Sequence, residues 1–344
     1  MPFTIVRGDI TKMNVDAIVN AANTGLAMGG GVCSTIFKAA GALDLQSACN
    51  SLSPIKTGEA VITPGFALPS RFIIHTAGPE YLQWSQEQSE AFLRAAYTNS
   101  LTLAAKNNCE SIAFPLISSG TYGYPKDEAL RVATSAIRDF ISKNEISVFL
   151  VVFDMDSFTA EKSLLGEVAN YIGKHYTEEH TAARSKLPYA EIAVLAEKQS
   201  ADYARPMLQK LQCPKKNTTT ETKSLGDIVG RLDEPFAATL LRLIDKSGKS
   251  DSYIYKRANI DRRLFSKIRS NLQYMPSKPT VLAFAVALEL NLDQTKDLLE
   301  RAGFALSHSR KFDVIVEYFI TNKKHDIFEI NEVLFSYDQA LLGG

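Results

Sequence analysis

The stretch NAANTGLAMGGGVCSTIFKAAG (residues 20–41) decides how this chain is read. An apolar run, Ala17–Val19, leads into it, and a helical pattern leaves it. Between them stand Gly29, Gly30 and Gly31. Successive glycines let backbone N–H groups approach an anion, and the N-terminus of the following helix adds a favourable dipole. A second loop, PLISSGTYGYP (115–125), lies in the same setting between a strand-like run and a helix. There Ser118, Ser119, Gly120 and Thr121 can present a nest of N–H donors. Neither loop has the lysine of a P-loop or the spacing of a dinucleotide fingerprint. Two such loops at two strand ends point to a phosphate-bearing ligand.

Working outward, six short apolar runs read as strands: Phe3–Val6, Ala17–Val19, Ala60–Ile62, Phe72–Ile74, Ile112–Phe114 and Val148–Phe153. Helical periods separate several of them. In residues 126–143, Ala129, Val132, Ala133, Ala136, Ile137 and Phe140 form one apolar face. Alternating strands and helices favour a mainly parallel sheet covered on both faces, with ligands beyond the carboxyl ends of the strands. From about residue 181 to 224 the chain turns polar, as in CPKKNTTTETKS, and reads as a partly helical linker. From 225 to 344 the pattern is helical, including Phe236–Ile244 and Thr280–Leu290.

The chain has 344 residues, 45% hydrophobic and 22% charged, with 38 basic and 38 acidic side chains and a formal net charge of zero. Such a length exceeds one ordinary domain. The balance excludes a uniformly basic nucleic-acid coat, and the composition excludes a wholly disordered or collagen-like chain. Four scattered cysteines, Cys33, Cys49, Cys109 and Cys213, offer neither a C-x-x-C motif nor a disulfide framework, so no metal or redox cofactor is expected. The start MPFTIVRGDI reads as a strand and turn rather than a signal peptide. No apolar run approaches the roughly 20 residues that span a bilayer, so a cytoplasmic setting without membrane contact is expected.

GDIT at 8–11, VDAIVNAAN at 15–23, GGGV at 29–32, IIHTAGP at 73–79 and ISSGTYGYP at 117–125 together resemble the macrodomain, an ADP-ribose-binding module, over residues 1 to about 175. The resemblance implies a three-layer α/β/α fold with a mixed central sheet. It gives Asp9 a hydrogen bond from the adenine amine, with the Ile10 backbone beside it, and gives Phe153 contact with the adenine ring. Gly29, Gly30, Gly31 and Val32, with Ser118, Ser119, Gly120, Thr121 and Tyr122, would wrap the diphosphate and distal ribose, Tyr122 packing on that ribose. Asn23 would bond its hydroxyls, and Asn20 would pin the loop.

The resemblance breaks where hydrolysis would be decided. Macrodomains that remove ADP-ribose from carboxylates or split O-acyl-ADP-ribose carry Asp and His where this chain has Cys33 and Phe37. A carboxylate there orients or activates water, and a thiol is a poor general base. Cys33 then has three readings: a packing residue in a pure binding module, part of a site in which Asn23 and the diphosphate position water, or a nucleophile. His75, inside FIIHTAG, reads as a core residue rather than its base. The expected function is binding of ADP-ribose with hydrolysis from modified macromolecules or O-acyl-ADP-ribose, Asn23 and Cys33 being the candidate catalytic residues. The alternative is a sensor that binds without turnover.

In the C-terminal half, SYIYKRANIDRRLFSKIRS (252–270) reads as two helices around a left-handed turn at Asn259, the second capped by Asp261. The pattern resembles the helix-turn-helix of phage-repressor-like regulators, except at Tyr255, where a small residue is usual. Residues 246–278 carry nine basic and two acidic side chains, against six and ten in 279–344. Arg262, Arg263, Lys267 and Arg269 are therefore candidate nucleic-acid contacts. A solvated face, a protein partner or docking on the acidic tail would use the same charges.

Overall fold

The computed structural model describes residues 2–152, 162–175 and 234–343. The proposed linker, the helical piece near 189–198, Cys213 and Phe153 lie outside the described residues. All six apolar runs form strands: β1 (Phe3–Arg7), β2 (Ala17–Ala22), β3 (Ala60–Pro64), β4 (Phe72–Ala77), β5 (Ser111–Pro115) and β6 (Ser147–Val152). They make one sheet in the order β1-β6-β5-β2-β4-β3. Only β3 runs antiparallel to its neighbour, so the sheet is mixed.

Period-two alternation sorts each strand between two cores. Ala17 and Val19 face a core built with α3 (Gln86–Lys106), α4 (Lys126–Ile141) and α5 (Lys162–His175). Ile18 and Ala22 face the other, closed by α1 (Gly31–Ala40) and α2 (Ala42–Asn50). The result is the α/β/α sandwich. Ser85 opens α3 with a capping box to Gln88. The apolar face expected for 126–143 is that of α4, which ends two residues earlier.

The second module is helical throughout its described residues: α6 (Phe236–Ser247), α7 (Asp251–Arg257), α8 (Arg262–Ser270), α9 (Lys278–Ala287), α10 (Leu292–Arg301), α11 (Lys311–Thr321) and α12 (Ile327–Ser336). The Thr280–Leu290 helix ends at Ala287, because Glu289 turns left-handed with φ 55°. Asn259 also lies in the left-handed region, φ 55°, and Asp261 caps α8 through Arg263 N.

The two modules share one core, in which Phe3 of β1 meets Phe328 of α12 at 5.8 Å between ring centroids. Arg138 Nη2 of α4 donates to both carboxylate oxygens of Asp326, at 2.7 and 2.8 Å, and the guanidinium lies over the Phe328 ring. Tyr255 explains its own departure from the small residue expected there. Its ring packs on Phe265, and its hydroxyl donates 2.9 Å across the module boundary to Glu145. No helix among the described residues is long and apolar enough to cross a membrane, and no metal-binding cluster occurs among them.

Candidate functional site

A cleft of about 790 Å³ opens beyond the carboxyl ends of the parallel strands. Its lining includes Asp9, Ile10 and Asn23, residues 29–33, and residues 118–122. Every ligand-contact candidate within the described residues thus borders one cavity.

Asp9 follows β1 and caps a short 3-10 turn, Ile10–Lys12. Its Oδ1 accepts from Thr11 N at 3.0 Å and from Thr11 Oγ1 at 2.7 Å. The Thr11 hydroxyl bond holds this carboxyl below its ordinary range, so it is an acceptor at neutral pH. Oδ2 is left for a donor from a ligand.

The first glycine loop ends in Gly30, the N-cap of α1, which supplies no side-chain acceptor to the first-turn amides. Those amides are the orphan donors of a helix start. Space beside Gly30 and Gly31 is open on the side a Cβ would occupy.

In the second loop Ser118 adopts φ 64°, and its Oγ is buried without a hydrogen-bond partner. Ser119 Oγ donates to Leu116 O at 2.8 Å, and Tyr124 N donates to Ser118 O at 3.0 Å, which fixes the turn. Tyr122 is half-buried on the cleft wall.

Asn23, not Asn20, is the asparagine that pins the loop: its Nδ2 donates to Ala27 O at 2.9 Å, and its Oδ1 accepts from Ala27 N at 3.1 Å. It still borders the cleft, and each amide atom keeps capacity for one more bond. Asn20 is fully buried in β2. Its Nδ2 reaches Cys33 Sγ at 3.6 Å and His75 Nδ1 at 3.1 Å. Asn20 and His75 are register partners on β2 and β4, so their side chains share a face.

With Asn20 donating to Nδ1, the imidazole proton sits on Nε2, facing Thr63 Oγ1 at 3.0 Å. Burial lowers the His75 pKa to about 4, so the ring is neutral and serves as a core polar link rather than a base. Burial, with a contribution from Cys33, raises the Cys49 thiol to about 11.

Cys33 borders the cleft, although only 5% of it is exposed, and its Sγ accepts from Gly29 N at 3.4 Å as well as from Asn20. Phe37 is buried edge-on to His75 and does not line the cleft. Several lining residues escaped the sequence reading, Lys126 and Gly78 among them. Lys126, first residue of α4, lines the cleft, and Gly78 closes beneath Ser118. The proximity of 126 to the second loop was legible in its place directly after Pro125. Gly78 lies within the IIHTAGP motif, but nothing in that motif marked its contact with Ser118.

The four basic candidates of the second module are all exposed on α8, and two of them have acidic partners. Arg263 reaches Glu110 of the first module at 3.1 Å, and Arg269 pairs with Asp251. Arg262 and Lys267 are exposed.

The Macro domain family pattern matches residues 19–133. A macro domain-containing protein of Methanosarcina mazei is 45% identical over 166 residues, 48% of this chain and 88% of that protein. The ADP-ribose glycohydrolase MACROD1 of Mus musculus is 43% identical over 145 residues, 42% of this chain and 45% of that protein. A solved Oceanobacillus iheyensis macrodomain with ADP is 43% identical, covering 44% of this chain and 84% of that one, with a TM-score of 0.43.

Proposed function

Since the chain belongs to the Macro domain family, we propose that its cleft binds ADP-ribose and hydrolyses it from modified macromolecules or from O-acyl-ADP-ribose. The carrying observation is the convergence of Asp9, the uncapped start of α1 and the 118–122 turn on one cavity. Asp9 Oδ2 takes the adenine amine. The first-turn amides of α1 and the second loop hold the diphosphate without requiring a basic protein. Ser118 Oγ, buried and unpaired, gains a partner in the ligand. Tyr122 packs on the distal ribose, and the remaining capacity of Asn23 is spent on its hydroxyls. In hydrolysis, water adds at the distal ribose linkage and its proton leaves with the released acceptor. Asn23 and the diphosphate position that water beside Cys33. The name of the mouse relative, an ADP-ribose glycohydrolase, supports this reading.

The sensor reading keeps one specific observation in its favour. Among the described residues Asp9 is the only carboxylate lining the cleft, and it belongs to the adenine end. In that reading ligand occupancy acts through β1, whose far end the second module grips, on a nucleic-acid or protein contact made by Arg262 and Lys267. A salt titration of DNA binding tests that contact, since a flat response removes it.

One experiment decides between the two. ADP-ribose is titrated calorimetrically, and products are then analysed on an ADP-ribosylated protein and on O-acetyl-ADP-ribose, for wild type, Asn23→Ala and Cys33→Ala. Hydrolysis by the wild type, lost in a variant that still binds, assigns the chemistry. Tight binding with no product from either substrate leaves the sensor.

A further inference from the structure

Asp9 and Lys126 are the two charged side chains that line the cleft among the described residues. Asp9 has its place at the adenine end. Lys126 is half-buried at the first position of α4, and its place along the cleft follows from the topology. α4 joins β5 to β6, which are parallel neighbours. Its apolar face shares a core with those strands: Ala129, three residues after Lys126, is buried with Phe114 of β5 and with Leu150 and Val152 of β6. The first turn of α4 therefore stands over the carboxyl ends of β5 and β6. Gly8 N donates to Val152 O at 3.1 Å, so the same strand end adjoins Asp9. Lys126 thus belongs to the adenosine half of the cleft, whereas the start of α1 follows β2 on the opposite layer.

The carboxylates next to Lys126 in the described sequence lie outside the cavity. Asp127 and Glu128 share its helical turn but do not line the cleft, and Glu128 accepts from the Tyr81 hydroxyl at 3.4 Å. One turn further on, Arg131 pairs with Glu90 of α3 at 3.0 Å. The amides at the start of α1 sit one strand beyond β5, at the end that holds Asn23 and Cys33. They reach one phosphate of a diphosphate ligand and leave the other, which carries the adenosine, under the start of α4. A cation held over that phosphate in a partly dry cleft attracts it more strongly than the same pair would in open water.

We propose that Lys126 is the specificity-determining cation of the cleft: it pairs with the phosphate next to adenosine, so that the recognised unit is an adenosine phosphate rather than adenosine alone. The inference rests on the ADP-ribose reading of the cleft and deepens it. The diphosphate is then divided between two kinds of donor. Backbone amides of α1 and the second loop hold the distal phosphate, and a side chain holds the one beside adenosine. The distal phosphate, near Asn23 and Cys33, keeps its full negative charge where the water of the proposed hydrolysis stands.

Calorimetric titrations of the full-length protein with ADP-ribose, AMP and adenosine test this for wild type, Lys126→Met and Lys126→Arg. Methionine keeps an unbranched apolar stem and removes the charge. Wild type is expected to prefer AMP to adenosine at least tenfold. Lys126→Met should cut that preference below threefold and weaken ADP-ribose about tenfold, with adenosine unchanged. Lys126→Arg restores the charge and should stay within threefold of wild type for all three ligands. Raising the salt from about 50 to about 500 mM should weaken ADP-ribose binding more steeply in wild type and Lys126→Arg than in Lys126→Met. Three results would overturn the proposal. Unchanged affinities in Lys126→Met remove the lysine from recognition. A loss for ADP-ribose with the AMP preference intact puts it at the distal phosphate. A loss that extends to adenosine, in Met and Arg alike, marks a structural role. Failure of the wild type to bind ADP-ribose is a separate outcome, which removes the reading of the cleft itself.

Discussion

The carboxamide of Asn259 pairs with both backbone groups of Phe3 across 256 residues of sequence. Phe3 N donates to Asn259 Oδ1 at 2.6 Å, and Asn259 Nδ2 donates to Phe3 O at 2.8 Å. β1 is an edge strand, and one amide side chain stands in for the neighbouring strand it lacks. The residue that makes the left-handed turn between α7 and α8 is therefore also the latch between the modules.

Asn259→Ala should be among the costly substitutions in the chain. It leaves two buried backbone groups unpaired and places a Cβ residue without asparagine's local compensation at φ 55°. Together these cost about 2–4 kcal/mol in a denaturant melt of the full chain. Asn259→Gly relieves the backbone term only, so it should fall between wild type and Ala. Equal stability of Gly and wild type would mean the pairing contributes nothing.

Gly78→Ala should damage the cleft. A Cβ there would collide with Ser118 Oγ and Ile117 Cγ2, so these two side chains must shift. Displacement of the Ser118 hydroxyl is expected to weaken ADP-ribose binding by about tenfold, about 1.4 kcal/mol, in a calorimetric titration. A Kd equal to wild type would show that Ser118 does not need its present place.

His75 makes stability fall on the acid side. In the folded chain it takes a proton only near pH 4, whereas the unfolded chain takes it near 6.5. Between those values the unfolded state binds more protons. Stability that is fully present above 6.5 is lost as pH falls towards 4, by about 3 kcal/mol in all. Denaturant titrations of wild type and His75→Gln over pH 4–8 should differ by this loss, the wild type falling further towards pH 4 than the variant.

Glu332 works in the opposite direction at the module boundary. Burial raises its pKa to about 7, and Thr134 Oγ1 donates to it at 3.3 Å from α4, with Asp326, Arg138 and Glu329 nearby. The folded state holds this proton where the unfolded state has released it. Its stabilisation is complete below about 4.5 and lost as pH rises through 7. Glu332→Gln keeps the neutral form and a carbonyl acceptor for Thr134. It should exceed wild type at pH 8 by about 1–2 kcal/mol and match it near pH 4.5. A deficit at pH 8 would show that the charged form is the favoured one.

What was legible in the sequence follows from how local each signal is. All six strands could be read because β-branched and apolar runs between helical periods are short-range patterns. The cleft could be read because Gly29, Gly30, Gly31 and the 118–122 turn announce unusual backbone at strand ends. That Asn20 is a buried link to His75 rather than the pin of the loop was hidden, since it depends on which face of β2 its side chain leaves and on His75 lying beside it on β4. The basic stretch 246–278 was legible as charge but not as geometry. Its turn faces the sheet edge, and Arg263 lies 3.1 Å from Glu110 of the first module.

The shared core also bears on how this chain can be cut. A fragment stopping before residue 234 would strip α12 from Phe3 and release Asn259 from the edge of β1. A strand bared along its hydrogen-bonding edge, with a buried phenylalanine newly in water, is a template for joining another copy of itself. The helical half is in that sense a stopper against self-association, and a shortened form of this protein needs a replacement for it before its solution behaviour says anything about the cleft.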